Sequence, residues 1–124
     1  MWVRAVVEAG PQQGVSTAAQ TGLSTTAGAI VSANMKRKGL IIQNTGTTII
    51  KLVLGTGTPT QTVYHVALKA CNAADDGTGG VYFDDSWVGP VQGISSAMGG
   101  TVVITEVTAG GPDWDRNADW YGSA

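Results

Sequence analysis

The amino-acid sequence, 124 residues long, predicts an all-β fold: an antiparallel β-sandwich, jelly-roll-like, of about eight short strands. Three observations predict it. Apolar and polar residues alternate with period two along most of the chain, so each such segment offers one face to a core. Gly, Pro, Asn and Asp recur roughly every eight to twelve residues, the spacing of turns in a sandwich. No stretch keeps a helical period beyond about two turns, which excludes a βαβ architecture.

The elements follow in order. Residues 2–9 alternate, with Val3, Ala5, Val7 and Ala9 on one face and Trp2, Arg4, Val6 and Glu8 on the other. Residues 10–28 are Gly, Pro, Gln, Ser, Thr and Ala with little pattern; they read as an irregular loop or arm that lies on the surface, adds a short strand or reaches a neighbour. Residues 29–33 make a short strand. Residues 38–54 read as a β-hairpin turning at Asn44, Thr45 and Gly46, with Leu40 and Ile42 facing the core from one strand and Ile50, Leu52 and Leu54 from the other. Residues 56–60 form a turn, and 61–70 alternate so that Tyr64, Val66, Leu68 and Ala70 point inward and His65 and Lys69 outward. A polar loop over 72–80 precedes a short aromatic strand at 80–84. Trp87 lies in the turn before Pro90, 91–97 make another strand, and Met98, Gly99 and Gly100 signal a second hairpin into 101–107.

A chain of this length buries roughly two-thirds of its unfolded surface and stands on one core. The sandwich domain is assigned to residues 1–111 and a separate tail to 112–124, where three aromatics and three carboxylates fall within nine residues. Trp114, Trp120 and Tyr121 read as interface anchors because clustered aromatics beside a glycine-rich hinge are costly to leave in water. Asp113, Asp115 and Asp119 would rim them, facing Lys36, Arg37 and Lys38 of a neighbour.

Charge narrows the partners. Charged residues are 13% of the chain, against roughly 25% in ordinary soluble domains. So weak a charge, on a fold rich in edge strands, points to a surface covered by neighbours and to a homo-oligomer, with a trimer expected. A net charge of −2 and a pI near 5.0 argue against nucleic acid as a partner. Lys36, Arg37 and Lys38 read as a solvated edge or salt-bridging corner rather than a phosphate site. Residues 1–8 do not read as a signal peptide, and no apolar run reaches a membrane span, so no membrane partner is expected.

Little in the sequence carries chemistry. One histidine and one cysteine exclude most Cys/His metal sites and any intrachain disulfide. His65 lacks a nucleophile elbow to work with. Residues 55–60 resemble a phosphate loop only superficially, without the Gly-Lys-Ser/Thr that would hold an anion. Asp75, Asp76, Asp84 and Asp85 are the densest carboxylates but miss the spacing of a calcium loop. Trp87 and the tail aromatics suit sugar stacking or, more commonly, core and interface packing. No cofactor, metal or catalytic residue is therefore expected, and the chain is read as a non-enzyme.

Three segments carry a resemblance. Arg37 with Gly39, Leu40, Ile42, Gln43 and Asn44, then Trp87, Gly89 and Val91, and finally Gly100, Thr101, Val102, Thr105 and Glu106 resemble the basic residue with "GLxIQN", the "W-x-G-x-(I/V)" turn and the "GTVxVTE" strand of small virion proteins of tailed bacteriophages. The resemblance spans residues 36–107. It implies a β-sandwich on the capsid exterior, a decoration or cement protein with the major capsid protein as partner, or a head-fibre or tail-associated piece; it brings no enzymatic residues. The rival readings are a carbohydrate-binding adhesin and an orphan hydrolase using His65 with a nearby Asp.

Overall fold

The computed structural model describes residues 14–109, and the strand expected over 2–9 and the tail at 112–124 lie outside them. Eight strands follow one another without a helix among the described residues: β1 (Gly14–Leu23), β2 (Gly28–Val31), β3 (Arg37–Asn44), β4 (Ile50–Leu54), β5 (Val66–Leu68), β6 (Val81–Asp84), β7 (Val91–Ser95) and β8 (Gly100–Thr108). They form two four-stranded sheets of order β1-β8-β3-β6 and β2-β7-β4-β5, hereafter sheets A and B. Every pair of neighbours is antiparallel. The pairs β1·β8 and β3·β6 in one sheet and β2·β7 and β4·β5 in the other are the nested partners of one long hairpin rolled on itself, the jelly-roll arrangement.

The core lies where the alternation places it. Leu40, Ile42 and Val102 from sheet A meet Ile50, Leu52 and Val91 from sheet B, all with no exposed surface. Each such side chain stabilises the fold by roughly 1.5–3 kcal/mol relative to exposure. Tyr82, Trp87 and Ile104 pack around this cluster.

Three expectations are corrected. Residues 38–54 are not a hairpin: β3 belongs to sheet A and β4 to sheet B, so residues 45–49 arch from one layer to the other. The same holds at Met98 to Gly100, which join β7 of sheet B to β8 of sheet A. Asn44 shapes the first arch. Its side-chain amide donates to the carbonyls of Thr48 (2.7 Å) and Leu68 (3.1 Å), and its oxygen accepts from the Gly46 N–H (3.0 Å). Second, much of the irregular stretch at 10–28 is β1, the longest strand, ordered by its ladder with β8 rather than by side-chain pattern. Third, only Val66–Leu68 of the alternating 61–70 is strand, and Tyr64 is exposed rather than in the core.

Residues 55–65 instead cover the outer face of sheet B. Val53 and Ile94 alternate outward yet are buried, and Pro59 is fully buried with them. Gln61 Nε2 donates to the Ser95 carbonyl at 2.8 Å, and Lys51 Nζ donates to the Gln61 carbonyl and stands 4.9 Å from the Tyr64 ring centre. His65 closes this segment: its N–H donates to the Leu52 carbonyl, and its Nδ1 accepts from the Leu54 N–H at 2.9 Å.

Candidate functional site

The three segments that carry the phage resemblance meet at one residue. Extending the alternation of β3 back from Leu40 would aim Lys38 inward and Arg37 outward. An irregularity in the β3·β8 register between Arg37 and Gly39 reverses the two. Arg37 is 4% exposed, and Lys36 and Lys38 lie in solvent. Its Nε donates to Glu106 Oε2 at 2.7 Å, Nη1 to the carbonyls of Trp87 (3.1 Å) and Gly89 (2.9 Å), and Nη2 to that of Ser32 (2.6 Å). One planar guanidinium thus ties β3 and β8 to the β2–β3 and β6–β7 connections, a task suited to a rigid fork of donors. The candidate interface cluster of Lys36, Arg37 and Lys38 is corrected accordingly: Arg37 is an interior structural residue, and only the lysines face outward.

Trp87 is equally committed. Its Nε1 donates to the Pro90 carbonyl at 3.0 Å, and its indole rests so close to Gly89 that a Cβ there would come within 2.4 Å of the ring. Its place is packing against the core, not an open stacking platform. Cys71 is buried and its thiol donates to the Asn44 carbonyl at 3.3 Å. Trp114, Trp120 and Tyr121 lie outside the described residues.

The carboxylates also serve local structure. Asp76 accepts from the N–H groups of Ala73 and Thr78 and from the Thr78 hydroxyl, which foremost draws its pKa down to about 2. Asp84 accepts from the Tyr82 hydroxyl (2.7 Å) and from the N–H groups of Ser86 and Trp87 (both 2.6 Å). Asp76 lies in the loop before β6, and Asp84 is the last residue of that strand. No group of three or more His, Cys, Asp or Glu placed to hold a metal occurs among the described residues.

The Tyr82–Asp84 pair gives a pH signature. The Tyr82 hydroxyl first, then the backbone donors, hold the Asp84 carboxyl down to about 2; burial first, then Asp84, pushes Tyr82 up to about 12. The contribution of Asp84 is therefore complete above the unfolded carboxyl pKa of about 4 and lost as pH falls toward 2. That of Tyr82 is complete below about 10 and lost as pH rises toward 12. Tyr82→Phe with Asp84→Asn is expected to flatten both edges of the Tm–pH profile, which thermal melts from pH 2 to 12 would reveal.

Among the described residues, the outer face of sheet A is left uncovered. Two complete rows cross it in register: Thr17, Thr105, Ile41 and Phe83, and beside them Ala19, Val103, Gln43 and Val81. None is ionisable. Phe83 is 62% exposed, Val81 55%, and Val15, on the next row with Val107, 67%. Sheet B has its own loop as a cover; sheet A has none among the described residues. The signal was present in the sequence as the uncharged outward positions of three strands, 41 and 43, 81 and 83, 103 and 105, but only their pairing assembles them into one surface.

No family model matches the chain, and no curated protein sequence matches it. A solved structure described as "Bacillus endospore appendages form a novel family of disulfide-linked pili" is similar with a TM-score of 0.45 and 15% identity, over 87% of this chain and 99% of that one. At that score and identity nothing about role follows.

Proposed function

We propose that this chain is a non-enzymatic structural protein that works by burying the outer face of sheet A, and that it decorates the capsid exterior of a tailed bacteriophage as a trimer bound to the major capsid protein. The observation that carries the reading is the pair of uncharged rows ending in Phe83 and Val81. A flat β-branched and threonine surface with an exposed aromatic gains by burial and loses nothing by desolvating charge. A protein that binds only the assembled shell stabilises it by mass action. His65 and Cys71, the residues from which a hydrolase would be built, are each held in a backbone contact of the fold. The tailed-phage assignment rests on the three resembling segments.

The test is the position of the chain in purified particles, by electron microscopy with an antibody against it. Label over the head surface supports decoration; label confined to the tail, or particles without the protein, overturns it. Separately, Phe83→Lys is expected to leave the isolated fold within about 0.5 kcal/mol, being a surface change, and to weaken self-association or shell binding about tenfold or more, since an ammonium must then be desolvated. Light scattering and co-sedimentation measure both. A clean monomer at micromolar concentration counts against the trimer.

A further inference from the structure

One imidazole fastens the cover of sheet B. Residues 55–65 leave β4 at Gly55, whose N–H donates to the Pro90 carbonyl at 2.8 Å, and come back to the sheet at His65, just before β5. With the cover in place Val53 and Ile94 are only 8% and 5% exposed. The β4·β5 ladder ends at the pair Leu52 and Val66, so two residues further along β4 the Leu54 N–H has no strand carbonyl from β5 to meet. His65 Nδ1 takes that carbonyl's place at 2.9 Å. A ring nitrogen accepts only while it carries no proton, so the neutral imidazole must keep its hydrogen on Nε2. The charged imidazole is a donor at both nitrogens and would set an N–H against the Leu54 N–H. His65 is exposed, so solvent protons reach it without the fold opening first.

We propose that His65 makes this cover acid-sensitive: a proton taken up at Nδ1 breaks the bond to Leu54, frees the end of the segment from β4 and loosens the cover over Val53 and Ile94. The neighbouring elements bring few other charges. On the segment and the strands beneath it the ionisable side chains are Lys51 of β4, Tyr64 and His65; β2, β5 and β7 carry none, and Lys69 follows β5 by one residue. Lys51 is engaged with the Gln61 carbonyl and the Tyr64 ring. The β6–β7 connection, which holds Gly55 through Pro90, adds Asp85. Of these residue types only histidine ordinarily changes charge between pH 5 and 8. Losing the acceptor and opposing two donors shifts the cover toward its open form by about tenfold. The rest of the segment's anchorage, Pro59 against the sheet and Gln61 on the Ser95 carbonyl, does not titrate. The device therefore loosens one end of the cover and leaves the sandwich itself intact.

The experiment is hydrogen exchange of the full chain at the two ends of that range, with each amide corrected for its intrinsic rate. Protection at Leu54, and at Thr60, whose N–H is bonded to the Val63 carbonyl inside the cover, is expected to fall about tenfold from pH 8 to pH 5. Sheet A amides are expected to hold theirs. His65→Asn is the deciding variant, because its Oδ1, like Nδ1, is one bond from Cγ and accepts without titrating. It is expected to keep the protection of Leu54 and Thr60 at both pH values. A second measurement needs no variant: the imidazole 15N shifts of the parent at pH 8 are expected to report the Nε2–H tautomer. Protection at either amide that is the same at pH 8 and pH 5 in the parent overturns the proposal, as does a His65→Asn protein that loses as much as the parent, or a proton on Nδ1 at pH 8.

Discussion

Arg37→Met is expected to lower the unfolding free energy by about 3–5 kcal/mol, the range for removing one partner of a buried ion pair. The loss has two parts. The Glu106 carboxylate, 24% exposed, keeps its charge without a counterion, and the carbonyls of Ser32, Trp87 and Gly89 lose their donors. Arg37→Lys is expected to rescue little, because a single ammonium cannot reach four acceptors spread over three elements. Adding Glu106→Leu to Arg37→Met should recover part of the loss by removing the stranded charge. Urea denaturation of the four proteins separates these effects. An Arg37→Met protein within about 0.5 kcal/mol of the parent, the range of an ordinary surface substitution, would show that the guanidinium is not a structural tie.

Gly79→Ala is expected to abolish folding or to cost more than about 4 kcal/mol, the range reserved for outright steric or core damage. A Cβ at Gly79 would stand 1.8 Å from the Asn44 carbonyl oxygen and 2.9 Å from Cys71 Sγ. The obstacle is backbone, at the end of β3 where the arch begins, and it cannot swing aside. Gly77→Ala is the control. Gly77 has φ of +83° with open space around its Cβ position, so alanine there meets only the left-handed backbone penalty of about 1–2 kcal/mol. Equal losses for the two variants would refute the close approach of residue 79 to Asn44.

The buried face was legible in the sequence wherever side chains alternated strongly. Leu40 and Ile42, Ile50 and Leu52, and Leu68 each stand where period two puts them, and the described residues hold eight strands, one of them the unexpected β1, while the strand expected over 2–9 lies outside them. What could not be read was pairing. Asn44, Thr45 and Gly46 have the composition of a hairpin turn and form an arch instead, because the choice depends on which distant strand lies alongside: β8 and β6 for β3, β7 and β5 for β4. β1 was hidden for a related reason. Its Ser, Thr, Ala and Gln carry no hydrophobic pattern, and a ladder of main-chain bonds to β8 makes it a strand. Arg37 forms a salt bridge, as the reading of a salt-bridging corner allowed, but was wrongly placed at an interface because adjacent cations suggest a shared surface, and a single register irregularity turns the middle one inward. The uncharged face of sheet A was spelled out in alternate residues of three strands, but no local pattern says they are neighbours.

The sheet order also sets when this molecule can fold. No two neighbours in sheet A are consecutive in the chain, and β8, the last strand of the sandwich, lies between β1 and β3. Closing the loop from Gly14 to Thr108 must precede the ladder that repays it, the condition under which folding is slow. During synthesis, the β1 and β3 edges that β8 will occupy wait unpaired until nearly the whole sandwich has left the ribosome. The interval in which those edges can find the wrong partner is therefore set by translation of the final strand, and a chain that stops before Gly100 can form no more of sheet A than its β3·β6 pair.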